Sequence, residues 1–433
     1  MARTTTSSFG VSRRENHDAS VFYERFTPPE LSSAADVARV PAAALDQFFA
    51  HDAGSMPELP DDCVALIVTS PPYFAGKEYE EALGVGHVPA SYAGYLDMLE
   101  SVFAECARVL EPGGRLAVNV ANLGRKPYRS LSADVVWILQ DRLRLLLRGE
   151  VIWVKARGAA GNCAWGSFQR PANPVLRDLT ERVVIASKGR FDRAVPARRR
   201  ERDGLPSVPS ISRDEFLEAT TDVWEIPTES ATRVGHPAPF PVELPQRLIE
   251  LYTYVDDVVL DPFLGSGSTA VAAVRTGRHF VGYDTDETYV ARAMERVGAE
   301  SRIDAPGSSA KDEARRLVDA AGFTDVRSDV RLPCGVDVSF DARGADSRRW
   351  RFDVAGGFTS SRPGLRRADV LWRVLGKAAV LHTAEPEVPF VVLTPARPTP
   401  ATPPDAALRA VTGDGRPIHQ VVDLSQLAAA IGL

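Results

Sequence analysis

The stretch Thr69-Ser70-Pro71-Pro72-Tyr73-Phe74 follows directly on the apolar run Val64–Val68. Two consecutive prolines fix the backbone and bring no N–H of their own. If the run is a strand of an open α/β sheet, its carboxyl end is where ligands bind. The Ser70 hydroxyl and the Pro71 carbonyl then present two acceptors side by side, which suits an exocyclic amino group with two hydrogens. Tyr73 offers a flat face on which a base can stack. An amine held this way can be lined up for attack on a methyl donor, with positioning as the main source of rate.

A second cluster lies far downstream. The segment VVLDPFLGSGST (258–269) sets Asp261, Gly265, Ser266 and Gly267 between a strand and a helix. Glycines there let backbone amides approach a ligand, and a helix N-terminus favours electron-rich groups. The next strand pattern, HFVGYDTD, ends at Asp284, 19 residues after Gly265, where an acid suits the free hydroxyls of a ribose. Asp286 competes for that role; Asp284 is preferred because it directly follows the strand. The wording departs from both G-x-G-x-x-G and G-x-x-x-x-G-K-[ST]. No lysine follows, which disfavours a triphosphate.

The elements needed to hold these residues are legible as an alternation. A strand enters the loop over 62–74, and SYAGYLDMLESVFAECARVL (91–110) has helical spacing that Glu111-Pro112-Gly113-Gly114 stops. A strand is expected over Arg115–Val120, a helix over Ser132–Leu147 and a strand over Val151–Val154. From Pro245 the pattern resumes with a helix, the strand Val258–Leu260, the helix Thr269–Arg275 and the strand His279–Tyr283. Such alternation predicts βαβ units and a mostly parallel sheet. Residues 156–235, richer in Gly, Pro, Arg and Ser, read as an insert within one α/β domain spanning 41–300, preceded by an extension over 1–40. SRIDAPGSSA (301–310) reads as a linker to a small C-terminal domain, 311–433, with a helix and several short strand candidates.

Composition sets outer limits. A chain of 433 residues predicts two or three domains, and 44% apolar with 25% charged residues is ordinary for a globular protein. No apolar run approaches the roughly 20 residues of a membrane span, and no apolar segment follows the basic N-terminus as a secretory signal requires. Cys63, Cys106, Cys163 and Cys334 are scattered, without the spacing of a zinc site or a disulfide framework. A reducing cytoplasm and no metal are expected. The net charge of −6 gives no global sign of nucleic acid, although a local patch suffices for that.

Together TSPPY, DPFLGSGST and GYD resemble the amino-group DNA methyltransferases that use S-adenosylmethionine. With the catalytic motif first and the cofactor loop last, the order is similar to the permuted class with its target-recognition region between them, over about residues 45–300. The resemblance implies a Rossmann-like core, double-stranded DNA as substrate and a base flipped out of the helix. It also implies roles by position. Phe263 matches the aromatic at the adenosine site and Asp261 the acid near the methionine amino group. His236 and Pro237 match a segment lining the methionine end, and Asp52, eighteen residues before Ser70, matches an acid that accepts from the adenine amine. Asp52 can equally be a turn residue. Trp153 and Lys155 sit where the family has an aromatic beside the target pocket, with Phe74 close to the catalytic turn; Trp153 can equally be core.

The run KGRFDRAVPARRRER (188–202) holds seven basic and two acidic residues. Arg198, Arg199 and Arg200 are the candidate phosphate contacts, and a solvated loop is the alternative. Serine before the prolines is associated in the family mostly with cytosine N4, and adenine N6 is the alternative. A cognate restriction endonuclease is implied by the family alone. In the tail, Asp337, Asp341 and Asp353 could form a degenerate nuclease site, but Asp353-Val354-Ala355 lacks the lysine of a (D/E)-x-K arrangement. An accessory DNA- or partner-binding domain is the preferred reading there.

Overall fold

The computed structural model describes residues 31–72, 91–122, 128–155, 171–174, 176, 179–211, 213–228, 241–300, 310–355, 364–366 and 368–424. Its larger sheet has eight strands: β1 (Gln47–Phe49), β2 (Val64–Thr69), β3 (Leu110–Val120), β4 (Leu146–Val154), β5 (Thr180–Ser187), β6 (Val223–Glu225), β7 (Val258–Asp261) and β8 (His279–Tyr283). They lie in the order β1-β8-β7-β2-β3-β5-β4-β6. All pairings are parallel except those of β5, which runs against both β3 and β4.

Helices α1 (Tyr92–Val109), α2 (Leu131–Trp137), α3 (Ala197–Arg202), α4 (Arg213–Ala219), α5 (Glu243–Tyr252), α6 (Ser268–Arg275) and α7 (Glu287–Gly298) complete this unit. α1 begins at Ser91, whose hydroxyl accepts the Gly94 N–H, and buries Tyr95, Leu99, Val102, Phe103 and Cys106 at helical spacing. Every residue of β2 is buried, as expected for a central parallel strand covered on both faces. From β2 the chain crosses through α1 to β3 on one side. From β7 it crosses through α6 to β8 on the other. The boundary between β2 and β7 is therefore a topological switch point, where the two loops part and leave a crevice.

Two expectations are corrected here. The helix expected to reach Leu147 ends at Trp137 and passes through a wider turn over Ile138–Arg142, because Arg144 takes a left-handed φ of 57°. β4 then starts at Leu146. The insert expected over 156–235 does not run unbroken either: residues 180–187 form β5, paired along its length with β3 and β4. Its sequence, TERVVIAS, is buried at all of its last five positions and exposed at none, so it belongs to the core. The end of the 1–40 extension is tied down too, by Ser32 N–H to the Gly189 carbonyl and Ala38 N–H to that of Asp62.

The C-terminal unit follows with α8 (Ala310–Ala320), β9 (Thr324–Arg331), β10 (Asp337–Arg343), β11 (Arg349–Val354), α9 (Ala368–Ala384), β12 (Phe390–Thr394), α10 (Pro403–Ala410) and β13 (Gln420–Asp423). Its sheet has the order β13-β12-β11-β10-β9, antiparallel over β9–β11 and parallel over β11–β13. Among the described residues no helix is long and apolar enough to cross a membrane.

Candidate active site

β2 and β7 lie side by side, with Leu66 opposite Val259 and Ile67 opposite Leu260. Ser70–Pro72 and Pro262–Gly267 therefore leave the sheet at adjacent points. Thr69 donates its hydroxyl to Asp261 Oδ1 at 2.7 Å. Thr269, on the first turn of α6, donates to Asp261 Oδ2 at 2.7 Å, and Phe263 N–H donates to Oδ1 at 3.1 Å. Asp261 is 1% exposed and serves as the peg between the two loops. This corrects its expected contact with a methionine amino group, because three donors occupy the carboxylate and no surface of it faces outward. Burial pushes its carboxyl up to about 6, against the downward pull of the two hydroxyls.

The glycine loop is shaped by what surrounds it. Gly265 has φ 48° and Gly267 φ 79°, both left-handed, and a Cβ on Gly267 would stand 2.9 Å from that of Ala293 on α7. Gly265 N–H donates to Asp284 Oδ2 at 2.8 Å, so the acid at the end of β8 steadies the loop. Its other oxygen accepts from Asp286 N–H, while Asp286 itself caps α7 through Thr288 N–H. Asp286, the competing ribose candidate, is thus a helix cap. Ser266 is buried, and Arg296 of α7 holds both its carbonyl and its hydroxyl. Phe263 is half-buried against the core. β1 runs parallel beside β8 and delivers Asp52, which is exposed and accepts Gly54 N–H at 2.7 Å in a local turn.

At the β2 end, Pro71 is buried while Ser70 and Pro72 are half-buried. The Pro72 carbonyl accepts from the Tyr95 hydroxyl of α1 at 2.8 Å. Ser70 Oγ lies 3.3 Å from the Asn119 carbonyl, to which it donates, and 3.3 Å from Asn119 Nδ2, from which it accepts. Asn119 Nδ2 also donates to Glu181 Oε2 at 2.7 Å, and Glu181 Oε1 meets Lys155 Nζ at 2.9 Å. Lys155 therefore faces a buried carboxylate. Trp153 is 2% exposed and gives its indole N–H to the Ile226 carbonyl at 2.7 Å, so the expected base contact is corrected to a core residue. Tyr73, Phe74, His236 and Pro237 lie outside the described residues, as do Trp165, Phe168, Gln169 and Arg170.

Arg200 is corrected as a DNA contact. It is 1% exposed and, with Arg193, shares Asp257 and Glu111: Arg200 Nη2 is 2.9 Å from Asp257, and Arg193 stands 2.6 Å from each acid. Glu111 opens β3 and Asp257 immediately precedes β7, so the cluster sits at the amino edge of the sheet. The pairing of Ser187 with Arg115 puts the whole run after β5 at that same edge, opposite Ser70. Arg198 and Arg199 are exposed there, and Arg199 pairs with Asp203 at 3.3 Å. In the C-terminal sheet, Arg349 and Arg351 flank Asp341, while Asp353 meets Lys377 of α9 at 2.9 Å and accepts from Ser339. Among the described residues no group of three His, Cys, Asp or Glu could hold a metal.

Thr69, Tyr95, Asn119, Glu181 and Thr269 all act on the site and were not singled out by sequence. Tyr95 carried only a helical-core signal, Thr69 and Thr269 stand inside the TSPPY and DPFLGSGST motifs with no role assigned to them, and no local pattern marks Asn119 or Glu181.

Residues 64–295 match the family model described as a DNA methylase, which groups N6 and N4 enzymes. The chain is 28% identical over 251 residues to the type II methyltransferase M.ScaI of Streptomyces caespitosus, covering 56% of this chain and 78% of that one. It is 27% identical over 284 residues to the type II methyltransferase M.MjaI of Methanocaldococcus jannaschii, covering 58% and 90%. Among solved structures, a DNA modification methylase of Thermus thermophilus in complex with S-adenosyl-L-methionine overlaps 60% of this chain and 96% of its own, at 28% identity and a TM-score of 0.44.

Proposed function

Since the chain belongs to the DNA methylase family of N6 and N4 methyltransferases, we propose that it methylates cytosine N4 at a specific site in double-stranded DNA. The carrying observation is the junction at the switch point, where Thr69, just before the Ser70–Pro72 turn, donates to Asp261, which opens the glycine loop. The arrangement fits S-adenosylmethionine by its donors and acceptors. The left-handed glycine loop with Asp284 suits a ribose, and Asp52, at the neighbouring strand end, suits an adenine amine. When bound, the cofactor supplies an electrophilic methyl group.

This chain's own residues do the holding. Ser70 Oγ and the Pro71 carbonyl accept the two hydrogens of the target amine, while Pro72 is kept in place by Tyr95. Tyr73 stacks on the flipped base, with Phe74 beside it, and His236 and Pro237 line the methionine end. Asp261 positions both loops without touching a ligand. The order of the two motifs along the chain supports the permuted class. Recognition falls to segments at the carboxyl edge, chiefly the one between Lys155 and Leu179, with a cognate restriction endonuclease as partner.

Single-molecule sequencing of DNA from cells expressing the chain tests this. The expected result is N4-methylcytosine within one recurrent sequence, lost with Ser70→Ala. N6-methyladenine in that position would overturn the base assignment, and unmodified DNA would overturn the activity. Tyr73→Ala should slow methyl transfer while leaving cofactor binding largely intact; equal loss of both would refute the stacking role.

A further inference from the structure

We propose that Glu181 is a positioning residue that sets the hydrogen-bond polarity of Ser70 through Asn119. The inference rests on the reading of Ser70 as the acceptor for the target amine. A side-chain amide beside two polar partners can present either its oxygen or its nitrogen. Here one partner is a buried carboxylate that Lys155 meets at 2.9 Å, and a carboxylate paired with an ammonium only accepts. Asn119 must therefore turn its nitrogen to Glu181, at 2.7 Å, and the same nitrogen also donates to Ser70 Oγ at 3.3 Å.

Ser70 has a single hydrogen to give. With Oγ receiving the Asn119 N–H, that hydrogen goes to the Asn119 main-chain carbonyl. Towards an incoming ligand the hydroxyl then acts as an acceptor, the role an amine requires. Glu181 and Asn119 belong to β5 and β3, on the diagonal of the antiparallel ladder next to β2 in which Asn119 pairs with Val183, and Lys155 follows the end of β4. Three strands thus fix one hydroxyl, and none of the three residues belongs to the TSPPY or glycine-loop motifs.

The test is a double-mutant cycle in the full chain, with Glu181→Gln and Ser70→Ala alone and together, reading single-turnover methyl transfer, cofactor and DNA affinities, and Tm. Glu181→Gln lets position 181 donate, so Asn119 can turn its oxygen inward. The rate should fall about 10- to 100-fold, the loss that follows misplacing a reacting group. Both affinities should stay within about twofold, and the double variant should be no slower than Ser70→Ala alone. A purely structural residue would instead lower Tm and add its rate loss to that of Ser70→Ala, which overturns the proposal. Lys155→Met gives a second route if Glu181→Gln fails to fold; it should also slow transfer without further loss in the Ser70→Ala background, and additive loss would again overturn the proposal. Full activity in Ser70→Ala would refute the reading of Ser70 itself. An inactive Ser70→Ala beside a wild-type Glu181→Gln would remove only the role of Glu181.

Discussion

Thr69 and Asp261 stand 192 positions apart and share a hydrogen bond of 2.7 Å. The residue before Ser70 is thereby fastened to the residue that opens the glycine loop. Whatever shifts one loop is felt by the other, because the bond is buried and a lost partner leaves a desolvated oxygen behind.

That carboxylate gives a pH signature. Burial raises Asp261 from 3.8 to about 6, so between those values the folded chain binds a proton that the unfolded chain releases. Its contribution to stability is therefore most favourable below about pH 4 and declines as pH rises through 6, by at most on the order of 3 kcal/mol. Urea unfolding at pH 5 and pH 7 should show this decline in the wild type. In Asp261→Asn it should be absent, with the fold retained because Oδ1 still accepts from Thr69 and Phe263 while Thr269 turns its hydrogen to the Val68 carbonyl and accepts from the new amide nitrogen.

Gly267→Ala should cost about 1–3 kcal/mol of stability, through its φ of 79° and the 2.9 Å approach to Ala293. Cofactor affinity measured by calorimetry should fall by about tenfold or more, since each 1.4 kcal/mol is a factor of ten. Adding Ala293→Gly should restore part of both losses, leaving the backbone strain. Unchanged affinity in Gly267→Ala would show that this turn does not shape the cofactor site.

The arginines of α3 should separate cleanly. Arg200→Met removes one cation from a buried cluster of two arginines and two acids, and should destabilise by about 3–5 kcal/mol. Arg198→Ala and Arg199→Ala, exposed at the amino edge, should change stability by less than about 0.5 kcal/mol. The salt dependence of DNA binding should be the same in both as in the wild type, and a flatter slope would return them to the DNA surface.

The local chemistry of the site was legible in the sequence, and its long-range partners were not. Asp284 and the glycine loop follow from short spacings that a strand-turn-helix dictates, and Ser70–Pro72 from the apolar run before them. That β2 abuts β7 is a pairing across 192 residues, which no period reveals. The charge run 188–202 looked like a phosphate-binding surface because the acids that neutralise Arg200, Glu111 and Asp257, lie 89 and 57 positions away. β5 was hidden by the unusual composition around it. α2 was drawn too long because Leu145 to Leu147 continue its apolar pattern beyond the left-handed Arg144.

The lone reversed strand has a consequence for how such a protein can change. Since β5 runs against β4, the chain between them departs and returns at one place, with Lys155 N–H bonded to the Leu179 carbonyl at 2.9 Å across the neck. The ladder beneath closes independently of the length or wording of what lies above it. A different segment could be spliced between those two residues while the strands kept their register. On the proposed reading of that segment as the recognition element, new sequence preferences arise by exchanging a cassette, with the chemistry left untouched.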